Sequence, residues 1–257
     1  MRLSLYVEGD GWVHRLDPLT KVIIAVSAIA LTFILTNLVA NGAILFVSLA
    51  LLTAAGALRR ALPVFAGALL LALTFFIIQG LVYPGNRTVA VAAGPVALYR
   101  EGLLVGLHLA LRLYNILSAT LIIVLVTHPT HLVEALVRRG LSPRFGYVLM
   151  AVLQIIPTMA DQTKAIMDAQ RSRGMETEGK LWTRIKAFIP LMGPLVTSSL
   201  ISTEERALAL EVRGFGDNAR PTFLREEHIP GYGIVLRWIA LAALVSGIVM
   251  RWGVGWL

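Results

Sequence analysis

The 257-residue sequence contains no cysteine. Disulfides, thiol catalysis and cysteine-ligated metal sites are therefore excluded. Charge is also scarce: 15% of residues are charged, against about 25% in a typical soluble domain. Acid is the scarcer sign, with 15 Asp and Glu against 23 Lys and Arg, for a net charge of +8. The polar opening MRLSLYVEGDGWVHRLDPLTK lacks the layout of a cleaved signal peptide, so the first apolar stretch is read as an uncleaved insertion signal. Within and beside the apolar stretches there are no paired aspartates, no Ser/His/Asp set and no H-E-x-x-H motif. A polytopic membrane enzyme thus lacks its usual signatures, and it is kept only as an alternative.

What is present is apolar. Hydrophobic residues make up 57% of the chain and mean hydropathy is +0.75. Several runs reach the roughly 18–20 residues that cross a bilayer as a helix. The fold class expected is an all-α polytopic membrane protein, each span satisfying its own backbone polar groups. The basic balance would suggest nucleic acid in a soluble domain. Here the basic residues collect in loops, so the lipid bilayer is the partner and no nucleic acid is expected.

Five spans are predicted, at about 22–38, 43–58, 62–82, 103–126 and 232–252. Asp17 suits the N-cap of the first and Pro18 its first helical position, where no N–H partner is needed. Between the third and fourth spans, residues 84–102 are too polar and too rich in Gly and Pro to cross. The alternation in TVAVA and VALY around Gly94-Pro95 fits a short hairpin. The triplet Asn86-Arg87-Thr88 matches a glycosylation acceptor, a pattern common by chance.

Charge orients the spans. The first loop has no Lys or Arg, the second has Arg59 and Arg60, and a long basic region follows the fourth span. The positive-inside rule puts the N-terminus, the Arg59-Arg60 loop and that region in the cytoplasm, in a multi-pass membrane protein. The expected organisation is 1–127 as a membrane part with four spans, 128–230 as a cytoplasmic domain, and 231–257 as a final span. The cytoplasmic domain would hold one short amphipathic helix, THLVEALVRRG, and two long ones.

The two long segments resemble each other. IIPTM leads to AQRSRG, and FIPLM leads to ALEVRG. Pro157 precedes Arg173 by 16 positions and Pro190 precedes Arg213 by 23. The difference is one heptad, which nearly preserves the helical face. Each helix is expected to bend or start at its proline. An arginine in a last turn followed by glycine is an ordinary helix end, because the cation suits the dipole and glycine takes the left-handed cap. Two such ends after similar segments suggest a second purpose: a planar, permanently charged fork offered to an acidic groove.

These residues carry a resemblance. Ser172-Arg173-Gly174 and Val212-Arg213-Gly214 are similar to the two Ala-Arg-Gly motifs that end the coupling helices of the transmembrane T component of energy-coupling factor transporters. Both Arg-Gly pairs match, and Ser172 and Val212 replace the alanines. Leu16-Asp17-Pro18-Leu19-Thr20-Lys21 is similar to the family's Asp-Pro-x-Thr-Lys opening. The resemblance spans nearly the whole chain.

It implies a non-catalytic subunit of an ATP-driven importer of a vitamin or a transition-metal ion. Its partners would be two ATP-binding-cassette ATPases, which bind the ATP and Mg²⁺, and one substrate-binding S component; this chain would hold no cofactor. Arg173 and Arg213 would enter grooves on the ATPases, with Gly174 and Gly214 ending the helices. The apolar faces of 148–167 and 185–210, including Ile155, Met159, Ile166, Met192, Leu195 and Leu200, would meet the S component. An ordinary ABC permease is the other alternative.

Other signals point elsewhere. GMETEGKL at 174–181 approaches a phosphate-binding loop but ends in Leu181, which cannot ligate Mg²⁺, and follows a helix where that loop follows a strand. His108, Arg112 and Asn115 share one face of the fourth span, either as partners of neighbouring helices or as a polar contact for the S component or for the 84–102 loop. His128 and His131 lack a third metal ligand. Trp182, Trp238, Trp252 and Trp256 suit interfacial anchors.

Overall fold

The computed structural model describes residues 9, 11–93, 96–175, 181–215, 223 and 230–254. Among these, eight helices and one hairpin form, and the all-α polytopic architecture is what the composition calls for. The chain divides into two compact units, Ser4–Ala135 with Glu227–Leu257, and Leu136–Glu226.

The first unit holds α1 (Pro18–Ile34), α2 (Leu38–Ala54), α3 (Leu58–Val82), α4 (Arg100–Val126) and α8 (Gly231–Val254). Helix α1 begins where the sequence indicates. Asp17 Oδ2 accepts from the Thr20 N–H at 3.3 Å and Pro18 occupies the first turn. The boundary between α1 and α2 falls about four residues earlier than predicted. Asn37 is the reason: its Oδ1 accepts the Val39 N–H at 3.0 Å and caps α2, so LVANG is helix and not turn. Asn41 Nδ2 fastens the corner by donating to Leu35 O at 2.9 Å.

Four helices are long and apolar enough to cross a membrane: α3, α4, α8 and α6 (Pro143–Ser172). Three of these coincide with predicted spans; α6 falls in the region read as cytoplasmic. Helices α1 and α2 have 17 residues each, about 25 Å, somewhat short of a ~30 Å hydrocarbon core.

The hairpin is β1 (Val89–Ala93) against β2 (Val96–Tyr99), antiparallel, with an irregularity between Val89 and Val91. Its approach is pinned by Glu101, whose carboxylate accepts from the Thr88 Oγ1–H at 2.7 Å and from the Arg87 N–H at 3.2 Å. Asn86 joins the ends of α3 and α4: Nδ2 donates to Gly80 O at 3.3 Å and Oδ1 accepts the Gly102 N–H at 3.0 Å.

Helices α3 and α4 touch backbone to backbone. A Cβ on Gly102 would lie 2.0 Å from Gln79 O, and one on Gly106 3.1 Å from Phe75 O. With Ala110 this is the small-xxx-small pattern that lets membrane helices approach closely. At one end of the unit Val13, Leu16, Leu52, Ala57, Leu125 and Val126 form an apolar core. Lys21 is 3% exposed there, and its Nζ donates to His14 O at 3.1 Å and to Val126 O at 3.0 Å. Residues of the opening motif thus tie the start of α1 to the end of α4.

Asn115, fully buried, donates through Nδ2 to Asn41 O at 3.1 Å and links α4 to α2. Arg112 places its guanidinium 4.8 Å from the centre of the Phe33 ring. Of the polar trio on the fourth span, these two therefore bind neighbouring helices. Arg251 donates to Phe33 O at 3.0 Å and so caps the carbonyl end of α1 from α8.

The second unit is built on α6 and α7 (Leu181–Val212), which pack together, while α5 (Pro129–Arg138) runs across the boundary at Ala135 and Leu136. Helix α6 does not start at Pro157. It starts at Pro143, where Ser142 Oγ accepts the Phe145 N–H at 3.3 Å, and runs through Pro157. Helix α7 likewise runs through Pro190 and Pro194. Beside the missing N–H of Pro157, Thr158 Oγ1 donates back to Gln154 O at 2.8 Å. Residues 176–180 of the near phosphate-loop stretch, and Trp256, lie outside the described residues.

Candidate functional site

Among the described residues four glycines have positive φ, and each stands just after a helix: Gly56, Gly140, Gly174 and Gly214. At the end of α6 the Gly174 N–H donates to Arg171 O at 2.9 Å and the Met175 N–H to Gln170 O at 3.1 Å. At the end of α7 the Gly214 N–H donates to Glu211 O at 2.9 Å and the Phe215 N–H to Leu210 O at 2.9 Å. Both ends are Schellman motifs, which satisfy carbonyls that the helix leaves open. In both, the arginine occupies the last position before the glycine.

The end of α2 acts as an internal control. Gly56 donates to Thr53 O and Ala57 to Leu52 O in the same pattern, yet the residue before the glycine is Ala55. The cap needs the glycine and not the arginine.

A third Arg-Gly pair, not singled out by the sequence reading, closes α5. The Gly140 N–H donates to Val137 O at 3.2 Å and the Leu141 N–H to Leu136 O at 3.1 Å, with Arg139 before the glycine. The signal was in THLVEALVRRG, but no long proline-containing segment precedes it. Its environment also differs. Arg139 is engaged within the chain. All three arginines are exposed, but among the described residues neither the Arg173 nor the Arg213 guanidinium takes part in an ion pair or side-chain hydrogen bond. Ser172 Oγ turns back to Asp168 O at 3.1 Å, whereas Val212 is 89% exposed.

The two arginines stand far apart. Tyr147, near the start of α6, packs its ring 5.2 Å from that of Phe215, two residues beyond Arg213. Arg173 lies at the other end of α6, 26 residues from Tyr147, or about 39 Å along a continuous helix. The pair α6–α7 therefore carries one exposed arginine at each end.

The apolar residues read as a contact face divide in two. On α6, Ile155, Met159 and Ile166 are half-buried and fall at the spacing of one stripe with Gln162, Thr163 and Gln170. On α7, Leu195 belongs to a similar half-buried stripe with Ser198, Ser199 and Ser202. Exposed instead are Ile189, Met192, Val196 and Leu200 on α7, at 72%, 38%, 47% and 65%. Their spacing of three and four residues makes one helical face. Phe145, Val148, Val152 and Ile156 are similarly exposed on α6.

His128 and His131 place their ring centres 5.1 Å apart, with His131 Nδ1 4.0 Å from Glu134 Oε2. Among the described residues no group of three or more His, Asp or Glu is arranged to hold a metal.

Known proteins share this plan. Residues 9–222 match the model of the cobalt transport protein family, CbiQ. The chain is also similar to several proteins named energy-coupling factor transporter transmembrane protein EcfT. The one from Exiguobacterium sibiricum is 30% identical over 257 residues, covering 95% of this chain and 97% of the relative. The one from Staphylococcus aureus is 32% identical over 239 residues, 87% of each chain. That of Heliobacterium modesticaldum is 32% identical over 260 residues, 96% of this chain and 94% of the relative. With a family match across most of its length and paired Arg-Gly helix ends, the chain belongs to the CbiQ family of transmembrane T components of energy-coupling factor transporters.

Proposed function

We propose that this T component couples two cytoplasmic ATP-binding-cassette ATPases to one membrane-embedded S component, and that Arg173 and Arg213 are its two ATPase contacts. The observation that carries this is the contrast among three caps of one pattern, each with an exposed arginine: Arg139 is engaged within the chain, while Arg173 and Arg213 are without ion pairs among the described residues. A guanidinium held at a rigid helix end engages a carboxylate with little ordering cost. A separation of about 39 Å suits two subunits rather than one site. ATP and Mg²⁺ belong to those partners, and this chain acts without a cofactor and without catalysing a reaction itself. Substrate choice, a vitamin or a transition-metal ion, belongs to the S component, which the exposed stripe of α7 meets. The N-terminus lies on the cytoplasmic side.

Removing one partner of a buried interfacial charge pair typically costs about 2–5 kcal/mol. Arg173→Glu or Arg213→Glu should each weaken copurification of the ATPases, and the double variant should abolish it together with substrate uptake. Normal assembly and uptake by the double variant would overturn the assignment.

A further inference from the structure

The two Arg-Gly ends share a backbone but not a mounting. After Arg213 and Gly214, the next residue, Phe215, donates its N–H to Leu210 O and packs its ring against that of Tyr147, tilted at 55° with 5.2 Å between centres. The Schellman motif makes residues 210–215 one rigid piece, so fixing the Phe215 ring fixes the direction of Arg213. A second anchor follows: the Arg138 guanidinium lies 4.2 Å from the centre of the Phe223 ring. The chain leaving α7 is thus held at 215 and at 223 by residues from the start of α6 and the end of α5. At the end of α6 the residue equivalent to Phe215 is Met175, and among the described residues no ring packs there.

We infer that Tyr147 and Phe215 form an aromatic latch that sets the presentation of Arg213, making Tyr147 a positioning residue for one ATPase contact and not for the other. The inference rests on the reading of Arg213 as an ATPase contact. Its consequence is asymmetry. One contact is braced against the root of α6, while the other is presented by a helix end about 39 Å away. A push on the braced contact passes directly into α6. Among the described residues the Tyr147 hydroxyl makes no hydrogen bond, so phenylalanine should serve as well.

The test uses the full chain in nanodiscs with its purified ATPases. An aromatic pair of this kind is worth about a two- to tenfold change in affinity. Tyr147→Ala should weaken association by that factor, and Tyr147→Phe should leave it unchanged. Added to Arg213→Ala, Tyr147→Ala should cost little more; added to Arg173→Ala, it should cost its full factor. An equal loss on both backgrounds, or no loss from Tyr147→Ala alone, overturns the latch.

The absence of native cysteine permits an independent readout. A spin label on Arg213→Cys should gain mobility when Tyr147→Ala is added, and one on Arg173→Cys should not. Unchanged mobility at 213 overturns the latch, whatever the ATPases do. Increased mobility at 213, with association indifferent to both arginines, keeps the latch and defeats the ATPase reading instead.

Discussion

The two units bury their helices by different means. In the first, α4 meets α3 through Gly102 and Gly106 at backbone distance, and α4 buries ten residues along its length, Asn115 and Ser118 among them. In the second, Gly146 is the buried residue of α6 and Leu191 the buried residue of α7 among those described. Its half-buried stripes mix Ser198, Ser199, Ser202, Gln162 and Thr163 with Ile155, Met159, Ile166 and Leu195, while other large apolar side chains, Ile156 and Leu200 among them, are exposed. Lipid has no hydrophobic preference for separating two helices, so close packing and interhelical hydrogen bonds must hold the first unit together. The second unit leaves much of its apolar surface exposed.

Three variants probe that contrast, in descending order of effect on the isolated chain. Gly102→Leu drives a side chain into Gln79 O, a backbone atom that cannot turn aside. The cost should reach the upper end of the ~1–3 kcal/mol typical of overpacking. Loss of monodisperse protein in detergent, or a clear fall in unfolding temperature, checks it; a stable Gly102→Leu chain would mean that the α3–α4 contact is looser than described. Lys21→Met comes next. Methionine keeps much of the stem but leaves His14 O and Val126 O without the Nζ donor, at about 1–3 kcal/mol. Thermal unfolding decides it, and wild-type stability for Lys21→Met would remove Lys21 as the tie between α1 and α4.

Much of this was legible from local pattern. Asp17-Pro18 marks a helix start by chemistry confined to a few residues, and the strands β1 and β2 follow from the alternation on either side of the Gly-Pro pair. What escaped was non-local or ambiguous in kind. Lys21 finds its carbonyl 105 positions away at Val126, and no pattern near residue 21 encodes that partner. The α1–α2 boundary moved because Asn37 is equally at home in a loop and at an N-cap. Ile155, Met159, Ile166 and Leu195 are apolar and fell into the contact face on that ground, but sequence periodicity does not say which apolar stripe a neighbouring helix takes. Arg139-Gly140 matches the two pairs proposed as ATPase contacts in backbone, and its engagement within the chain separates it from them.

The smallest effect on stability is expected where loss of the S component is. Val196 and Leu200 stand four residues apart on the exposed face of α7, and neither supports the α6–α7 seam. Replacing both by serine removes no internal contact of consequence, so the isolated chain should unfold within about 0.5 kcal/mol of wild type per site, as surface substitutions generally do. The same change places two hydroxyls in the middle of the surface assigned to the S component. Truncating a central apolar anchor of an interface commonly costs more than about 1 kcal/mol. The Val196→Ser, Leu200→Ser chain should therefore keep its unfolding temperature and its ATPases while losing copurified S component. Loss of stability in the isolated chain would show that this stripe serves the fold. Full retention of the S component would move its contact to the exposed face of α6, around Val152 and Ile156.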